Sequence, residues 1–318
     1  MTRDTTGGPA ISLVIVTYKR ETALLEGLRT LQPHTTLFHE ILIVDNGNSA
    51  GLEARARLLL GGRLTVLRQR ENLGAVARAI GIQAATGDII VTLDDDVQLV
   101  QPEQLSNLAS LFASHNRIGC VNFKILYPDG TLDISDWCHP RDHELYADRL
   151  FETSYISEGA CALNGTLIKN IGTYPLDLFI GQEGVELAAR ILDSDYGIYY
   201  LPSVTVTHTV AAEGRASGRQ FYFNTRNIYW IALRTFPIGL AFRTVLREWL
   251  TLFMFALLRW RMNFFLRGCW HGLRRTPELL RGRQPIRHVS ARRIVELSSL
   301  KPSVWRRAAR LGRSKTLD

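Results

Sequence analysis

The first third of the chain alternates short apolar runs with longer stretches of helical period. Four runs rich in β-branched residues predict strands, at Ile11–Thr17, Glu40–Asp45, Leu64–Arg68 and residues 88–93. The segments that follow them predict helices, at Glu21–Leu31, Leu52–Leu60, residues 73–85 and residues 102–115. Continuous apolar runs indicate strands that are buried on both faces. This order predicts an α/β fold with a Rossmann-like, mostly parallel central sheet and helices on both faces.

Polar clusters follow the ends of three of these predicted strands, at residues 17–19, 45–47 and 94–96. In open parallel sheets, ligands bind beyond the carboxyl ends of the strands. We therefore expect the three clusters to meet at one edge of the sheet and to form the functional site there.

The chain changes character after about residue 214. Before that point we predict strands at Ile118–Leu126 and at residues 159–163, 197–201 and 204–208, with a helix at residues 182–192. After it, aromatic-rich helical stretches punctuated by arginines are predicted at residues 227–234, 238–247 and 249–265. These patterns divide the chain into a disordered N-terminus (1–9), an α/β domain (10–214) and a basic, amphipathic helical region (215–318).

Basic residues are concentrated in the C-terminal region. The net charge is +8, and 22 of the 38 Lys and Arg residues lie from residue 215 onward. This asymmetry predicts an anionic partner for the region. Its longest uncharged apolar run, residues 249–258, is half of the roughly 20 residues that a spanning helix needs. We expect helices that lie in a membrane surface with arginines at the head groups; the alternative is a helical lid packed on the α/β domain.

Other composition signals narrow the class of protein. A nucleic acid is not expected as a partner, because the arginines are interleaved with bulky apolar residues and form no reading motif. The four cysteines lack CxxC spacing and predict neither a disulfide framework nor a zinc site. Residues 1–9 contain no apolar segment of the signal-peptide type. We therefore expect a cytoplasmic protein that is peripheral on the inner face of the cytoplasmic membrane.

Asp94, Asp95 and Asp96 directly follow the fourth predicted strand. Adjacent carboxylates repel one another, so a fold that brings them together usually supplies a cation. On an extended chain, residues two apart point the same way, which predicts that Asp94 and Asp96 share a face and that Asp95 points away. Carboxylate oxygens suit Mg²⁺ or Mn²⁺, which keep positions open for substrate phosphates. The alternative is a solvated acidic turn that caps the next helix.

Six short motifs occur in the order typical of family 2 glycosyltransferases. They are VIVTYKR at 14–20, DNG at 45–47, N-x-G at 72–74, AR at 77–78, GDI at 87–89 and DDD at 94–96. Farther on, GACAL at 159–163, FIGQEGVELAAR at 179–190 and VTH at 206–208 resemble the acceptor-side strand, the ED-x-D-L…R helix and the late V-x-H strand of that family. The chain thus resembles this family over about residues 10–230, in particular its rhamnosyltransferase-like bacterial members. The resemblance implies the GT-A fold, with a nucleotide-binding half at about 10–100 and an acceptor half at about 101–214.

The resemblance also implies roles for the matching residues. The base and ribose of a nucleotide-diphosphate-sugar donor would be lined by Thr17, Tyr18, Arg20 and Asp45, and the pocket would continue with Asn72, Gly74, Arg78 and Asp95. Asp94 would touch the ribose or a metal-bound water, and Asp96 would hold Mg²⁺ or Mn²⁺ against the diphosphate. His208 would be a third metal-side or phosphate-side group; the alternative is a strand-end histidine with a satisfied hydrogen bond. Arg226 would clamp the diphosphate or a lipid phosphate; the alternative is a helix-start arginine on a basic surface.

A carboxylate base is implied on the helix that begins near residue 182. The family usually carries a carboxylate at the second position of its ED pair, and this chain has Gly184 there. Glu183 is therefore the expected base, and Glu186, one turn on, is the second candidate. The alternative for Glu186 is the exposed face of an amphipathic helix.

These residues predict an enzyme that moves one sugar from a nucleotide-diphosphate donor to a lipid-linked or polysaccharide acceptor, rhamnosyl transfer being one such reaction. The resemblance implies an inverting single displacement, in which a metal and nearby cations stabilise the leaving nucleoside diphosphate. Two alternatives stay open. One is a soluble transferase that acts on a small molecule or a protein, and the other is a nucleotide-sugar-binding protein that has lost catalysis, which Gly184 motivates.

Overall fold

A computed structural model of the chain describes residues 8–209 and 218–299. Its strands are β1 (Ile11–Thr17), β2 (Glu40–Asp45), β3 (Leu64–Arg68), β4 (Ile89–Asp94), β5 (Val97–Leu99), β6 (Ile118–Leu126), β7 (Phe151–Glu152), β8 (Ala160–Asn164) and β9 (Gly197–His208). Its helices are α1 (Glu21–Leu31), α2 (Leu52–Leu60), α3 (Arg78–Ala84), α4 (Leu105–Ser114), α5 (His143–Tyr146), α6 (Gly165–Ile171), α7 (Glu183–Asp193), α8 (Arg219–Thr235), α9 (Ile238–Leu258), α10 (Met262–Arg274), α11 (Thr276–Arg281) and α12 (His288–Ser299). The N-terminus expected to be disordered is residues 1–9. Its residues 1–7 and the boundary expected at residue 214 lie outside the described residues.

The strands form one sheet in the order β3-β2-β1-β4-β8-β6-β9-β5, with β7 paired to β9. The strands β3, β2, β1 and β4 are parallel, as the sequence predicts. Beyond β4 the sheet is mixed, because β8 runs antiparallel to both β4 and β6. Antiparallel neighbours need no helical crossover. Between β6 and β8 the chain accordingly forms a single short helix, α5. The sheet is therefore parallel in its first half and mixed in its second.

Helices cover both faces of the sheet, in agreement with the predicted fold class. Alternate residues of β1 enter different cores: Leu13 and Ile15 pack in one, and Val14 packs in the other. The first core also takes leucines from α1, α2 and α4. The second takes residues from α3, α6, α7 and α8. The C-terminal region is thus joined to the α/β domain through a continuous core.

The helix predicted at residues 73–85 begins later than expected. Gly74 has φ 77° and ψ −160°, a backbone conformation that no helix contains. A single 3₁₀ turn, Ala75–Ala77, follows it, and α3 proper begins at Arg78. The loop conformation of residues 72–74 therefore delays the helix and places Arg78 at its first turn.

Two predicted strands, at 197–201 and 204–208, are one continuous strand, β9. Its register with β6 shifts between Phe123 and Lys124, which pair with Leu201 and Thr205. Pro202 lies in this shift. Proline has no N–H to donate to a neighbouring strand and is tolerated at such a bulge. The register shift therefore accommodates the proline, and the strand continues.

The C-terminal helices are longer than the sequence pattern suggests. The predicted break near residue 248 is absent, and α9 continues to Leu258, because charged side chains without glycine or proline do not end a helix. Helix α8 is largely buried against α7 and the second core, which agrees with the lid alternative for this helix. In contrast, α9 keeps a row of exposed apolar side chains. Among the described residues, no helix has the length and apolar character needed to cross a bilayer.

Candidate active site

The ends of β1, β2 and β4 meet at one edge of the sheet. In the strand register, Thr17 lies opposite Asp45, and Val16 lies opposite Asp94. The prediction that the three polar clusters meet is therefore confirmed. Because β1 lies between β2 and β4, Asp45 and Asp94 lie on either side of its end. We take this edge as the candidate active site.

Asp95 and Asp96 share one cation, Arg20. The Arg20 guanidinium contacts Asp95 Oδ1, and its Nη1 lies 2.5 Å from Asp96 Oδ2. Thr17 Oγ1 donates to Asp95 Oδ2 at 2.7 Å. Burial raises the pKa of Asp95 to about 6, although Arg20 and Thr17 act to lower it. The expectation that Asp95 points away from its neighbours is wrong, because β4 ends at Asp94 and the alternation of an extended strand stops there.

Asp94 is paired with a different cation, Arg78, from the first turn of α3. Arg78 Nη2 donates to Asp94 Oδ1. Arg78 is fully buried, and its Nε and Nη1 have no hydrogen-bond partner among the described residues. Burial opposes the charge on Arg78, but the charges of Asp94, Glu158 and Glu183 keep its pKa above the ordinary value. A buried guanidinium with two unpaired nitrogens is costly unless it meets an anionic ligand or a further carboxylate.

Two glutamates, Glu158 and Glu183, lie close enough for their charges to act on Arg78. Glu158 comes just before β8, and its Oε1 accepts the backbone N–H of Gly184 at 2.6 Å. Glu183 is the first residue of α7, and its Oε2 is buried with no partner among the described residues. Burial and the charge of Glu158 raise the pKa of Glu183 to about 8, and burial also raises the pKa of Glu158. The structure thus places the expected base, Glu183, beside a second carboxylate that the sequence analysis does not name.

His208, the last residue of β9, faces Asp96. Its Nε2 lies 3.9 Å from Asp96 Oδ2. Its Nδ1 lies 2.7 Å from Asp136 Oδ2 and 3.3 Å from Asp133 Oδ2, and these hydrogen bonds raise the pKa of His208 to about 10. Asp133, Asp136 and His208 offer ligand atoms that lie within 4.8 Å of one another. Nδ1 therefore has hydrogen-bond partners, and Nε2 is directed to the acidic turn. The role of His208 in metal binding stays a prediction.

Asn72 and Gly74 form a tight loop that contacts Asn46 and Phe179. Asn46 Nδ2 donates to Asn72 Oδ1 at 2.9 Å and to the Gly74 carbonyl at 3.0 Å. A Cβ at Gly74 would lie 2.1 Å from the carbonyl oxygen of Phe179, so only glycine fits there. Asp45 is buried, and its carboxylate accepts two backbone N–H groups of the turn that follows it. These contacts give Asp45, Asn72 and Gly74 structural roles, and the donor contacts predicted for these three residues stay predictions.

Arg226 lies inside α8, seven residues from its first residue, Arg219. Its Nη2 donates to the carbonyl oxygens of Asp177 and Leu178 at 3.1 and 2.7 Å, and its guanidinium lies 4.1 Å from the Trp230 ring centroid. The alternative of a helix-start arginine on the surface is wrong, because α8 begins earlier and this face of it is buried. Arg226 holds the loop that leads to Glu183; its predicted contact with a diphosphate stays untested.

Glu186 and Tyr18 have contrasting surroundings. The two carboxylate oxygens of Glu186 accept Arg190 Nε at 2.8 Å and Nη2 at 2.6 Å. Glu186 is buried, so the alternative of an exposed helix face is wrong. Its carboxylate is engaged in an ion pair inside the protein. Tyr18 is 41% exposed at the end of β1, where a ligand can reach it. Both of their predicted roles remain predictions.

Sequence analysis missed Glu158, Asp133 and Asp136. Glu158 directly precedes the small-residue run at 159–163, which the motif comparison did recognise. Asp133 and Asp136 follow the turn at residues 127–130 in the least regular part of the chain. A charged residue flanking a recognised motif is the one signal that could have identified Glu158. The two aspartates had no such signal, because their partner His208 lies more than 70 residues away.

The sheet and its acidic edge define the GT-A class of α/β proteins. Residues 12–170, half of the 318-residue chain, match the sequence model of "Glycosyl transferase family 2". The chain belongs to this family. "Uncharacterized glycosyltransferase YwdF" of Bacillus subtilis (strain 168) is 38% identical over 87 residues, which are 27% of this chain and 32% of that protein. The chain spans less than two thirds of the length of this relative and of two other curated relatives, whose covered shares are 14% and 65%.

Two solved structures share the fold. The mannosyltransferase PcManGT from Pyrobaculum calidifontis, in complex with GDP-Man and Mn²⁺, matches with a TM-score of 0.55 and 17% identity over 86% of this chain and 89% of its own. GalNAc-T7, with UDP, GalNAc and Mn²⁺, matches with a TM-score of 0.54 and 18% identity over 66% of this chain and 45% of its own. The predicted GT-A fold is therefore confirmed.

Proposed function

We propose that this chain transfers a sugar from a nucleotide-diphosphate donor bound at the edge formed by β1, β2 and β4. The observation that carries the proposal is the arrangement of Asp94–Asp96 at this edge, with the buried cation Arg78 behind it. A buried cation with two unpaired nitrogens and an acidic turn that is partly exposed at Asp94 can together receive a ligand that combines a diphosphate with a metal ion. Family membership and two fold relatives solved with a nucleotide or nucleotide sugar and Mn²⁺ support this class of donor.

The divalent metal would be held by Asp96 and His208. Asp96 Oδ2 and His208 Nε2 lie 3.9 Å apart. Mg²⁺ takes mainly oxygen ligands, so a nitrogen ligand beside the carboxylate favours Mn²⁺. Asp94 is engaged by Arg78 and belongs to the donor side of the site. Asp133 and Asp136 hold the far nitrogen of His208, a carboxylate–histidine arrangement that orients a metal ligand. When bound, the metal supplies positive charge for the departing diphosphate.

The side chains of this edge would then divide the work. Arg20 neutralises Asp95 and Asp96, which keeps the acidic turn together in the absence of a ligand. Arg78 provides a fixed positive charge in a buried position, where electrostatic interactions are strong. A carboxylate of the Glu158–Glu183 pair accepts the proton of the acceptor hydroxyl. This division suits a single displacement with inversion at the anomeric carbon.

We further propose that the chain works at an anionic membrane surface, such as the inner face of the cytoplasmic membrane, on a lipid-linked or polysaccharide acceptor. Exposed apolar side chains recur every three or four residues along α9 and continue past it, at Ile238, Phe242, Leu246, Leu250, Met254, Leu257, Trp260, Leu266 and Trp270. The same stretch carries exposed arginines at Arg243, Arg247, Arg259, Arg267 and Arg274. An apolar row with flanking arginines is the pattern of a helix that lies in the head-group region of anionic lipids.

A thermal-shift screen with UDP-, GDP- and dTDP-sugars, with and without Mn²⁺, tests the donor site. We expect one donor class to raise the melting temperature, because a ligand that binds only the folded state stabilises it. Asp96→Asn should remove the part of the shift that depends on Mn²⁺. Asp129→Asn, in an exposed turn, should not. Equal shifts in both variants would refute the metal assignment.

Release of the nucleoside diphosphate from that donor separates a transferase from a binding protein. A donor-dependent shift without release would favour the alternative of lost catalysis.

Membrane docking has its own test, sedimentation with vesicles of phosphatidylglycerol or phosphatidylcholine. We expect binding to the anionic vesicles alone, and its loss in Phe242→Ser/Leu250→Ser. Leu58→Ser, on the exposed side of α2, is the control. A parent protein that stays in the supernatant would favour a soluble transferase.

A further inference from the structure

The first turn of α7 holds a glycine, Gly184, where the carboxylate of Glu158 takes the space of a side chain. A Cβ at Gly184 would lie 2.3 Å from Oε1 of Glu158 and 2.8 Å from its Cδ. Gly184 has an ordinary helical backbone, so its conformation would accept any residue. A side chain at this position would therefore have to displace the Glu158 carboxylate, and backbone geometry sets no limit. The carboxylate of Glu158 and a side chain at residue 184 are alternatives for one volume.

The first turn of α7 also holds the Glu158 carboxylate in place. The Gly184 N–H donates to Oε1 of Glu158 at 2.6 Å. The first N–H groups of a helix have no partner within it, and its N-terminus favours a negative charge. A hydrogen bond from such a group to a carboxylate is among the stronger ones in proteins. Helix α7 therefore orients the carboxylate of Glu158, a residue that comes just before β8.

The backbone around Glu158 ties it to the acidic turn. Thr92 Oγ1 donates to the Glu158 carbonyl at 2.6 Å, and the Asp94 N–H donates to the Gly159 carbonyl at 3.1 Å. A Cβ at Gly159 would lie 2.3 Å from Asp94 Oδ2, so the lack of a side chain there lets Asp94 approach. Glu158 is thus fixed next to the residue that begins the acidic turn.

We propose that Glu158 is the catalytic base of this chain, with its carboxylate in the volume that a side chain at residue 184 would fill. The inference rests on the proposed function. Glu158 accepts the proton of the acceptor hydroxyl while that oxygen forms a bond to the anomeric carbon of the donor sugar. The bond from this carbon to the diphosphate oxygen breaks, and its electron pair leaves with the nucleoside diphosphate. The proton passes from Glu158 to water after the products leave.

Glu183 is less suited to this step. Its carboxylate is buried, and its Oε2 is enclosed without a partner among the described residues. Glu158, in contrast, is partly exposed. Burial raises the pKa of both glutamates, so accessibility, and not titration, favours Glu158 as the acceptor of a proton.

Four proteins test the inference: the parent, Glu158→Ala, Gly184→Asp and the double variant Glu158→Ala/Gly184→Asp. The readouts are the melting temperature without ligand and the release of nucleoside diphosphate from the donor found in the screen, with Mn²⁺ and water as acceptor. We expect Gly184→Asp to lower the melting temperature and the double variant to recover it. Glu158→Ala should lose release by about 100-fold or more, the usual contribution of a general base, while its donor-induced shift persists. The double variant should regain release relative to Glu158→Ala.

Two further variants make the test sharper. Glu158→Gln preserves the volume and the acceptor for Gly184 but cannot take a proton, so it should fold and bind donor without releasing product. Glu26→Gln, exposed on α1, should match the parent. Release at the parent rate by Glu158→Gln would overturn the inference, and so would an unchanged melting temperature in Gly184→Asp. Absence of release by the parent would overturn the proposed function itself, and with it this assignment.

Discussion

Arg78 reaches Asp94 from inside the protein: the Arg78 side chain is 2% exposed, whereas that of Asp94 is 37% exposed. The guanidinium thus serves as a buried counter-charge for a carboxylate at the surface of the site. Glu158 and Glu183 also act on this one cation. The four groups form a unit in which the loss of the cation leaves carboxylates without compensation.

We predict that Arg78→Met lowers the free energy of unfolding by about 3–5 kcal/mol, the usual cost of removing one partner of a buried ion pair. Equilibrium denaturation measures this change. Arg55→Met is the matched control, because Arg55 pairs with Glu21 at the surface. It should change stability by less than about 1 kcal/mol. An Arg78→Met protein as stable as the parent would contradict the burial of this charge.

Substitutions of Gly74 and Gly61 allow backbone strain to be distinguished from a steric clash. Both have a positive φ with a ψ near −150°, a region that only glycine commonly adopts. A Cβ at Gly61 meets no atom within 4 Å, whereas a Cβ at Gly74 lies 2.1 Å from the Phe179 carbonyl oxygen. Gly61→Ala should therefore cost only the backbone strain, about 1–3 kcal/mol. Gly74→Ala should cost more and should also weaken the donor-induced shift in melting temperature. Equal losses in the two variants would refute the close approach.

The hydrogen bonds that His208 Nδ1 donates to Asp133 and Asp136 give a prediction about metal affinity. Loss of a partner that orients a metal-binding histidine typically weakens affinity about 10–100-fold. We expect this loss for Asp136→Asn, measured as the Mn²⁺ concentration needed for half of the thermal shift with donor present. Nucleotide binding without Mn²⁺ should persist. Asp129→Asn should need the parent concentration of Mn²⁺, and parent-like affinity in Asp136→Asn would contradict the orienting role.

Asp177 links the α/β domain to the C-terminal helices and predicts a pH dependence. Burial opposes its ionisation, but hydrogen bonds from Arg234 and Arg275 lower its pKa. A lowered folded-state pKa means that the unfolded state binds more protons in acid. The stabilisation of the folded state by ionised Asp177 is therefore present above the unfolded pKa, about 4, and is lost as the pH falls through the folded-state pKa.

Asp177→Asn should consequently lower the melting temperature at about pH 7, and the gap from the parent should narrow toward about pH 3. Melting curves of both proteins across this range measure the effect. The exposed Glu26→Gln should track the parent throughout. A gap that stays constant down to pH 3 would show that the loss comes from packing and not from the charge of Asp177.

The strand-rich first half could be predicted well, for a physical reason. Strands buried on both faces need continuous apolar runs. Such runs end at Thr17 and Asp45 in both the pattern and the structure, and the fourth ends at residue 93 in the pattern and at Asp94 in the structure. The start of α3 could not be predicted as well. The conformation of Gly74 depends on Phe179, more than 100 residues away, and no local propensity reports such a contact.

Side-chain partners were the least predictable part of the site. Periodicity suggested that Asp94 and Asp96 act together, but Arg78 engages Asp94 and Arg20 engages Asp96. The contact of Glu158 with Gly184 joins two elements through one backbone N–H, which leaves no pattern in composition or spacing. Even the recognised motif at 183–184 could not show that a residue from another segment fills the space above its glycine.

The sequence by itself determined the alternation of strands and helices, the edge at which the polar clusters meet, and the basic character of the C-terminal helices. These features follow from local periodicity and composition, which are properties of neighbouring residues. Only the tertiary structure decided which cation each carboxylate meets, which face of α9 stays exposed, and which glutamate lies over Gly184. Those outcomes depend on atoms from distant segments competing for the same buried space and charge, and that competition takes place only in the folded chain.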